Sequence, residues 1–154
     1  MGAHAAIVLP HTAAKVKEDT IRSFGAEIVK CDVSERFRVA EELCRARSAT
    51  LVPPFNDETV MAGQGTAGLE IMEQCPELDK VVVPVSGGGL IGGVSTAIKA
   101  ISPRTAVYGA EPAALPRYSV SLKAGKPVPV EKRPTVADGL VSQMPGDVCF
   151  PCVE

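Results

Sequence analysis

A chain of 154 residues with 45% hydrophobic and 22% charged residues can bury a core as one domain or two small lobes, and with 4% aromatics and no Trp that core is aliphatic. Net charge is -2 with no block of like charge, so neither nucleic acid nor a membrane surface is an expected partner. No apolar stretch reaches transmembrane length, and five scattered cysteines suit a reducing compartment, so the expected location is the cytoplasm.

The chain opens on a short apolar strand, Ala5 to Leu9, and a Pro10-His11-Thr12 turn. Thr12 can cap a helix running to Phe24, with Val16, Thr20 and Ile21 as its inward stripe and Gly25 as its stop. Ala26 to Cys31 is a second strand; Ser34 caps a helix over Glu35 to Arg47; Thr50 to Val52 is a third strand, closed by Pro53-Pro54. This βαβαβ alternation predicts a parallel sheet with flanking helices. The loop Pro53 to Asp57 is a candidate lobe boundary. A helix over Glu58 to Met72 follows, and it holds Gly63, Gly65 and Gly68. Each costs about 1 kcal/mol relative to Ala, so the segment needs close approach by another backbone or by a ligand. Lys80 to Val85 is a strand expected to be buried on both faces. Leu90 to Ile101 is a helix, Thr105 to Ala110 a strand, and Leu115 to Ala124 a short helix; Val128 to Pro134 is irregular and Thr135 to Leu140 begins another ordered piece.

The stretch between strand and helix, Ser86-Gly87-Gly88-Gly89, is the one with chemistry written in it. Glycines let the backbone approach a ligand and adopt positive φ. The free N–H groups opening the helix then favour a phosphate, with the Ser86 hydroxyl as an additional donor. The same letters satisfy G-x-G-x-x-G through Gly87, Gly89 and Gly92, and Glu111 follows the next strand, where a dinucleotide fold places its ribose-binding acid. Three readings stay open on pattern alone: the phosphate of a small cofactor, a dinucleotide, and a glycine-rich turn that binds nothing.

An ordered set of segments narrows this. Ala62-Gly63-Gln64-Gly65-Thr66, Val83-Pro84-Val85-Ser86-Gly87-Gly88-Gly89-Leu90, Gly109-Ala110-Glu111-Pro112, Ser121-Leu122-Lys123-Ala124-Gly125-Lys126-Pro127 and Ala137-Asp138-Gly139 resemble, in order and spacing, the serine racemase and serine/threonine dehydratase family. The resemblance covers nearly the whole chain. It implies a fold type II pyridoxal-phosphate enzyme, similar to the tryptophan synthase β fold: α/β, with open, mostly parallel twisted sheets and flanking helices, here incomplete at both ends. It implies that residues 1–57 are part of a small mobile lobe and 58–154 part of a large cofactor-binding lobe. Ser86, Gly87, Gly88, Gly89 and Leu90 would hold the phosphate of pyridoxal 5'-phosphate, with Gly139, Asp138, Phe55 and Asn56 near its ring. The implied substrate is serine or threonine. Removal of its Cα proton would be followed by racemisation or by β-elimination to an oxo-acid and ammonia. The parent protein would be a homodimer.

The resemblance also implies what to look for and not find. The family's Schiff-base lysine lies in a Ser-x-Lys-x-Arg-Gly setting, and none of Lys15, Lys17, Lys30, Lys80, Lys99, Lys123, Lys126 and Lys132 has it. The expectation is an internal fragment that is inactive alone, or a non-catalytic phosphate- or dinucleotide-binding Rossmann-like domain. Some members bind a divalent cation such as Mg through a Glu that Glu111 matches, but Arg117 replaces the expected second acid. An ion pair between Glu111 and Arg117 is the favoured alternative. Cys149 and Cys152 form a CxxC with no second pair, and are expected to be two ordinary buried thiols. Cys31, Cys44 and Cys75 are expected as small apolar residues, and His4 and His11 as surface residues.

Overall fold

The structure, a computed structural model, describes residues 2–153. The chain divides into two compact units, Met1–Val52 and Pro53–Glu154.

In the first unit, β1 (Ala6–Pro10) and β2 (Glu27–Cys31) pair in parallel, from Ala6 opposite Glu27 to Pro10 opposite Cys31. Helix α1 (Lys15–Ser23) makes the crossover, and the chain leaves it through Gly25 at φ +78°. Gly25 is therefore the expected stop: a left-handed residue just past the last turn, where glycine avoids the Cβ penalty. Thr12 is not the cap, because the helix starts later, and Ala14 stands at its N-cap with no side-chain bond. Of the expected inward stripe only Ile21 is half-buried, and Val16 and Thr20 are exposed. Ser34 sits inside a 3-10 turn, Val33–Glu35, that leads into α2 (Arg36–Arg47), rather than capping it. Arg47, in the last turn of α2, pairs with Glu27 of β2. Thr50 to Val52 is not a strand. Two prolines follow it without N–H groups to offer a neighbour, and Val52 is 72% exposed.

In the second unit, Asp57 accepts the Val60 N–H at 2.9 Å and caps α3 (Glu58–Gln74). Then come β3 (Lys80–Pro84), α4 (Gly89–Ile101), β4 (Ala106–Ala110), α5 (Arg117–Ala124) and a 3-10 turn, Phe150–Cys152. Strands β3 and β4 pair in parallel, from Lys80 opposite Ala106 to Pro84 opposite Ala110. Helix α4 places Ile91, Val94 and Ile98 on one buried face, at the spacing of an amphipathic helix. They meet Val83, Val85, Met72, Tyr118 and Phe150 in the core.

The α3 glycines are explained by this packing. A Cβ on Gly65 would lie 2.9 Å from Gly93 O, and one on Gly68 would lie 2.9 Å from Val94 O, so the two helix backbones touch there. Gly63 faces open space. Thr135 to Leu140 forms turns only. The expectation that β3 is buried on both faces is corrected. Val83 and Val85 are buried while Val82 is 66% exposed, opposite Tyr108 at 52%. Successive residues of a strand point to opposite faces, and the helices of this unit cover one face.

Candidate phosphate-binding site

The end of β3, the turn and the start of α4 build a cup. Val85 continues the ladder with its N–H on Ala110 O at 2.8 Å. Gly88 stands at the N-cap of α4 with φ +105°, a backbone conformation that only glycine adopts without strain. Among the described residues, the N–H groups of Ser86, Gly87, Gly88, Gly89, Leu90 and Ile91 donate no hydrogen bond. The first that does is Gly92, to Gly88 O at 2.8 Å. Six consecutive N–H groups at the positive end of a helix are thus without a protein acceptor, the arrangement that favours an anion. Ser86 Oγ accepts the Ser142 N–H at 3.2 Å, which fixes the hydroxyl oxygen and leaves its proton to donate.

The walls of the cup come from distant segments. The Phe55 ring lies against Gly87 where a side chain would otherwise stand. At Gly88 a Cβ would fall into the Tyr118 hydroxyl, with Tyr118 Cζ at 2.8 Å and Cys149 Cβ at 3.0 Å. Gln64 presses its Oε1 on Gly89; that oxygen is buried without a hydrogen-bond partner, while its Nε2 donates to Pro54 O at 3.3 Å. Asn56, itself at φ +63°, accepts the Val148 N–H at 2.9 Å. Sequence reasoning placed Phe55 and Asn56 near the site but missed the wall roles of Gln64, Tyr118 and Cys149. A polar residue in a glycine-rich helix was the available signal for Gln64; for the other two there was none.

Gly139 lies in a turn closed by Leu140 N–H on Ala137 O at 2.9 Å and nothing crowds it; the segment is tied to the cup through the Ser142 N–H on Ser86 Oγ and through Arg117, which holds both Leu140 O and Val85 O. Leu90 gives its N–H to the set of free donors and leaves its side chain 37% exposed. Glu111 and Arg117 do not form the ion pair expected of them. The Glu111 carboxylate accepts three bonds at the start of α5, from Tyr118 N at 2.9 Å, Ser119 N at 2.9 Å and Ser119 Oγ at 2.8 Å. Arg117 is 0% exposed and donates to Val85 O at 2.8 Å and Leu140 O at 2.9 Å. Helix α5 opens by offering two N–H groups to a carboxylate, and the arginine side chain turns inward to backbone carbonyls. Burial pulls the Arg117 guanidinium below its ordinary value, opposed by the charge of Glu111. Burial pushes the Tyr118 hydroxyl and the Cys149 thiol up.

All 154 residues match the family described as pyridoxal-phosphate dependent enzyme. The chain belongs to that family. It is 43% identical to the L-threonine ammonia-lyase of Thermotoga maritima, over 99% of this chain and 39% of that protein. It is 41% identical to a serine racemase of Oryza sativa subsp. indica, over 99% of this chain and 45% of that protein. The solved structure of maize serine racemase superposes with a TM-score of 0.92 at 38% identity, covering 99% of this chain and 46% of that one. The chain thus spans less than half the length of these relatives. The fold type II architecture expected from the sequence is the one found.

Pyridoxal-phosphate dependent enzymes carry a cofactor with a dianionic phosphate, and the residues here fit that group. The free donors and the positive φ at Gly88 lie on a bare glycine backbone, where a Cβ would collide with Phe55, Tyr118 or Gln64. Among the described residues no three His, Cys, Asp or Glu side chains group as metal ligands. The oxygens of Glu111 accept three donors, and Arg117, six positions later, is turned to the Val85 and Leu140 carbonyls. Cys149 and Cys152 are free thiols; the expectation that both are buried holds for Cys149, while Cys152 is half-buried.

Proposed function

We infer that this chain supplies the phosphate cup of a pyridoxal-phosphate enzyme acting on serine or threonine. The observation that carries the inference is the run of free N–H groups from Ser86 to Ile91 at the start of α4. Ser86, Gly87, Gly88, Gly89 and Leu90 hold the phosphate, with the Ser86 hydroxyl as a further donor, and Gly139 lies on the segment beyond Ser142. When bound, the cofactor supplies an electron sink for removal of the Cα proton of an amino acid. The residues of this chain anchor and orient it through the phosphate; the atoms crowding the loop glycines belong to Phe55, Tyr118, Cys149 and Gln64, and no lysine is among them. Racemisation and elimination are both served by this anchoring. The threonine ammonia-lyase and serine racemase relatives support serine and threonine as the substrate class. The dinucleotide reading is disfavoured because Glu111, its ribose-binding acid, is occupied by the start of α5. Five unpaired cysteines support a reducing compartment, and no described helix is long and apolar enough to cross a membrane.

The test is a titration of the chain with pyridoxal 5'-phosphate and with pyridoxal, each followed by the rise in melting temperature. Stabilisation by the phosphorylated form alone is expected. Equal responses to both compounds, or preference for a nicotinamide dinucleotide, would remove the support for a phosphate cup of this kind.

A further inference from the structure

The carbonyl groups of the cup carry the next step. In a trans peptide the C=O and the following N–H point to opposite sides of one plane, so a partner that holds the carbonyl also aims the N–H. Arg117 holds Val85 O at 2.8 Å, in the plane that carries the Ser86 N–H. Tyr118 Oη at 3.3 Å and Gly146 N at 2.8 Å hold Gly87 O, in the plane that carries the Gly88 N–H. Gly92 N holds Gly88 O, in the plane that carries the Gly89 N–H. Arg117 and Tyr118 are consecutive residues opening α5, and Glu111 fixes that opening through the N–H groups of Tyr118 and Ser119. The guanidinium is fully buried, its Nε has no hydrogen-bond partner, and among the described residues it makes no salt bridge. An arginine buried on neutral acceptors is costly to retain.

We propose that Arg117 and Tyr118 are positioning residues of the phosphate cup: they hold the Val85 and Gly87 carbonyls so that the Ser86 and Gly88 N–H groups face the ligand, and the Arg117 charge makes the cup favour a dianion without a divalent cation. The proposal rests on the reading of Ser86 to Ile91 as a phosphate site and deepens it. A hydrogen bond to a carbonyl polarises its amide and strengthens the opposite N–H as a donor. A fixed positive charge one peptide behind those donors, away from water, favours two negative charges over one.

The experiment uses the full 154-residue chain, with inorganic phosphate and pyridoxal 5'-phosphate as probes, between about pH 5.5 and 8, where the phosphate loses its second proton. Wild type is expected to bind phosphate more tightly as the dianion forms. Arg117→Met is expected to bind about tenfold more weakly, with a flattened pH profile. Arg117→Lys keeps the charge but cannot fork across two carbonyls, so it keeps the profile and binds roughly threefold more weakly. Tyr118→Phe loses about twofold, because Gly146 N still holds Gly87 O. A merely structural role would lower the melting temperature of these variants and leave the pH profile of binding unchanged. A folded Arg117→Met chain with the wild-type affinity and profile overturns the proposal and leaves the phosphate site standing. If Arg117→Met does not fold, Arg117→Lys decides: affinity equal to wild type overturns the proposal. Wild type alone gives a second check, since its melting temperature should be the same in EDTA and in excess magnesium, and stabilisation by magnesium overturns the metal-independent role. A wild-type chain that binds neither probe overturns the phosphate reading and the proposal together, a result distinct from the others.

Discussion

Gly88→Ala is the perturbation that interrogates the cup most directly. At φ +105° an L-residue is strained by about 1–2 kcal/mol. The new methyl group would also collide with Tyr118, whose Cζ lies 2.8 Å from its position, and approach Cys149 Cβ at 3.0 Å. Overpacking of this kind adds about 1–3 kcal/mol. The sum is about 2–5 kcal/mol, or a melting temperature lower by roughly 6–15 °C at about 3 °C per kcal/mol for a chain of this size. Relief of the clash moves the Tyr118 ring, so its bond to Gly87 O is lost and binding of pyridoxal 5'-phosphate should fall with it. The control is Gly125→Ala, at φ +65° with nothing within 4 Å, which carries strain without collision and should cost about 1 kcal/mol. Thermal melting of both variants, with and without the cofactor, is the assay. Melting temperatures that agree within a degree or two, or an undiminished cofactor response in Gly88→Ala, would refute the reasoning.

Three further outcomes follow from the packing. Gly63→Ala, in open space on α3, should stabilise by about 1 kcal/mol, whereas Gly93→Ala, whose Cβ would strike Met61 O and lie 2.7 Å from Gly65 N, should destabilise by at least about 2 kcal/mol; denaturant melts that rank them otherwise would discredit the helix crossing. Val83→Ala should cost about 2 kcal/mol and Val82→Ala under about 0.5 kcal/mol, because one faces the core at 5% exposure and the other solvent at 66%. Tyr118 and Cys149 have folded pKa values raised by burial, so their contribution is fully present below the unfolded values of about 8.5 for a thiol and 10 for a phenol, and is lost as pH rises through them towards the folded values. The melting temperature should therefore fall from about pH 8.5 upward, and less steeply above about pH 10 in Tyr118→Phe; identical slopes in that range would show that the phenol is not linked to folding.

Some of this was written in the local sequence. The continuous apolar run up to Val85, side-chain-free residues at 87–89 and the apolar period of Ile91, Val94 and Ile98 specify strand, turn and helix through interactions between near neighbours, and the free donors of the cup follow from a helix that begins at a glycine. The ordered motifs carried the family as well. Only the tertiary structure decided which face of β3 is covered, which α3 glycines meet α4, and where Arg117 points. From the sequence, the nearest opposite charge to Arg117 is Glu111, six positions before it, and an ion pair is the natural expectation. The folded chain instead brings it Val85 O from 32 positions away and Leu140 O from 23, while backbone N–H groups claim Glu111. Partners so distant in the chain are chosen by packing rather than by local propensity, and the orientation of the cup's donors depends on them.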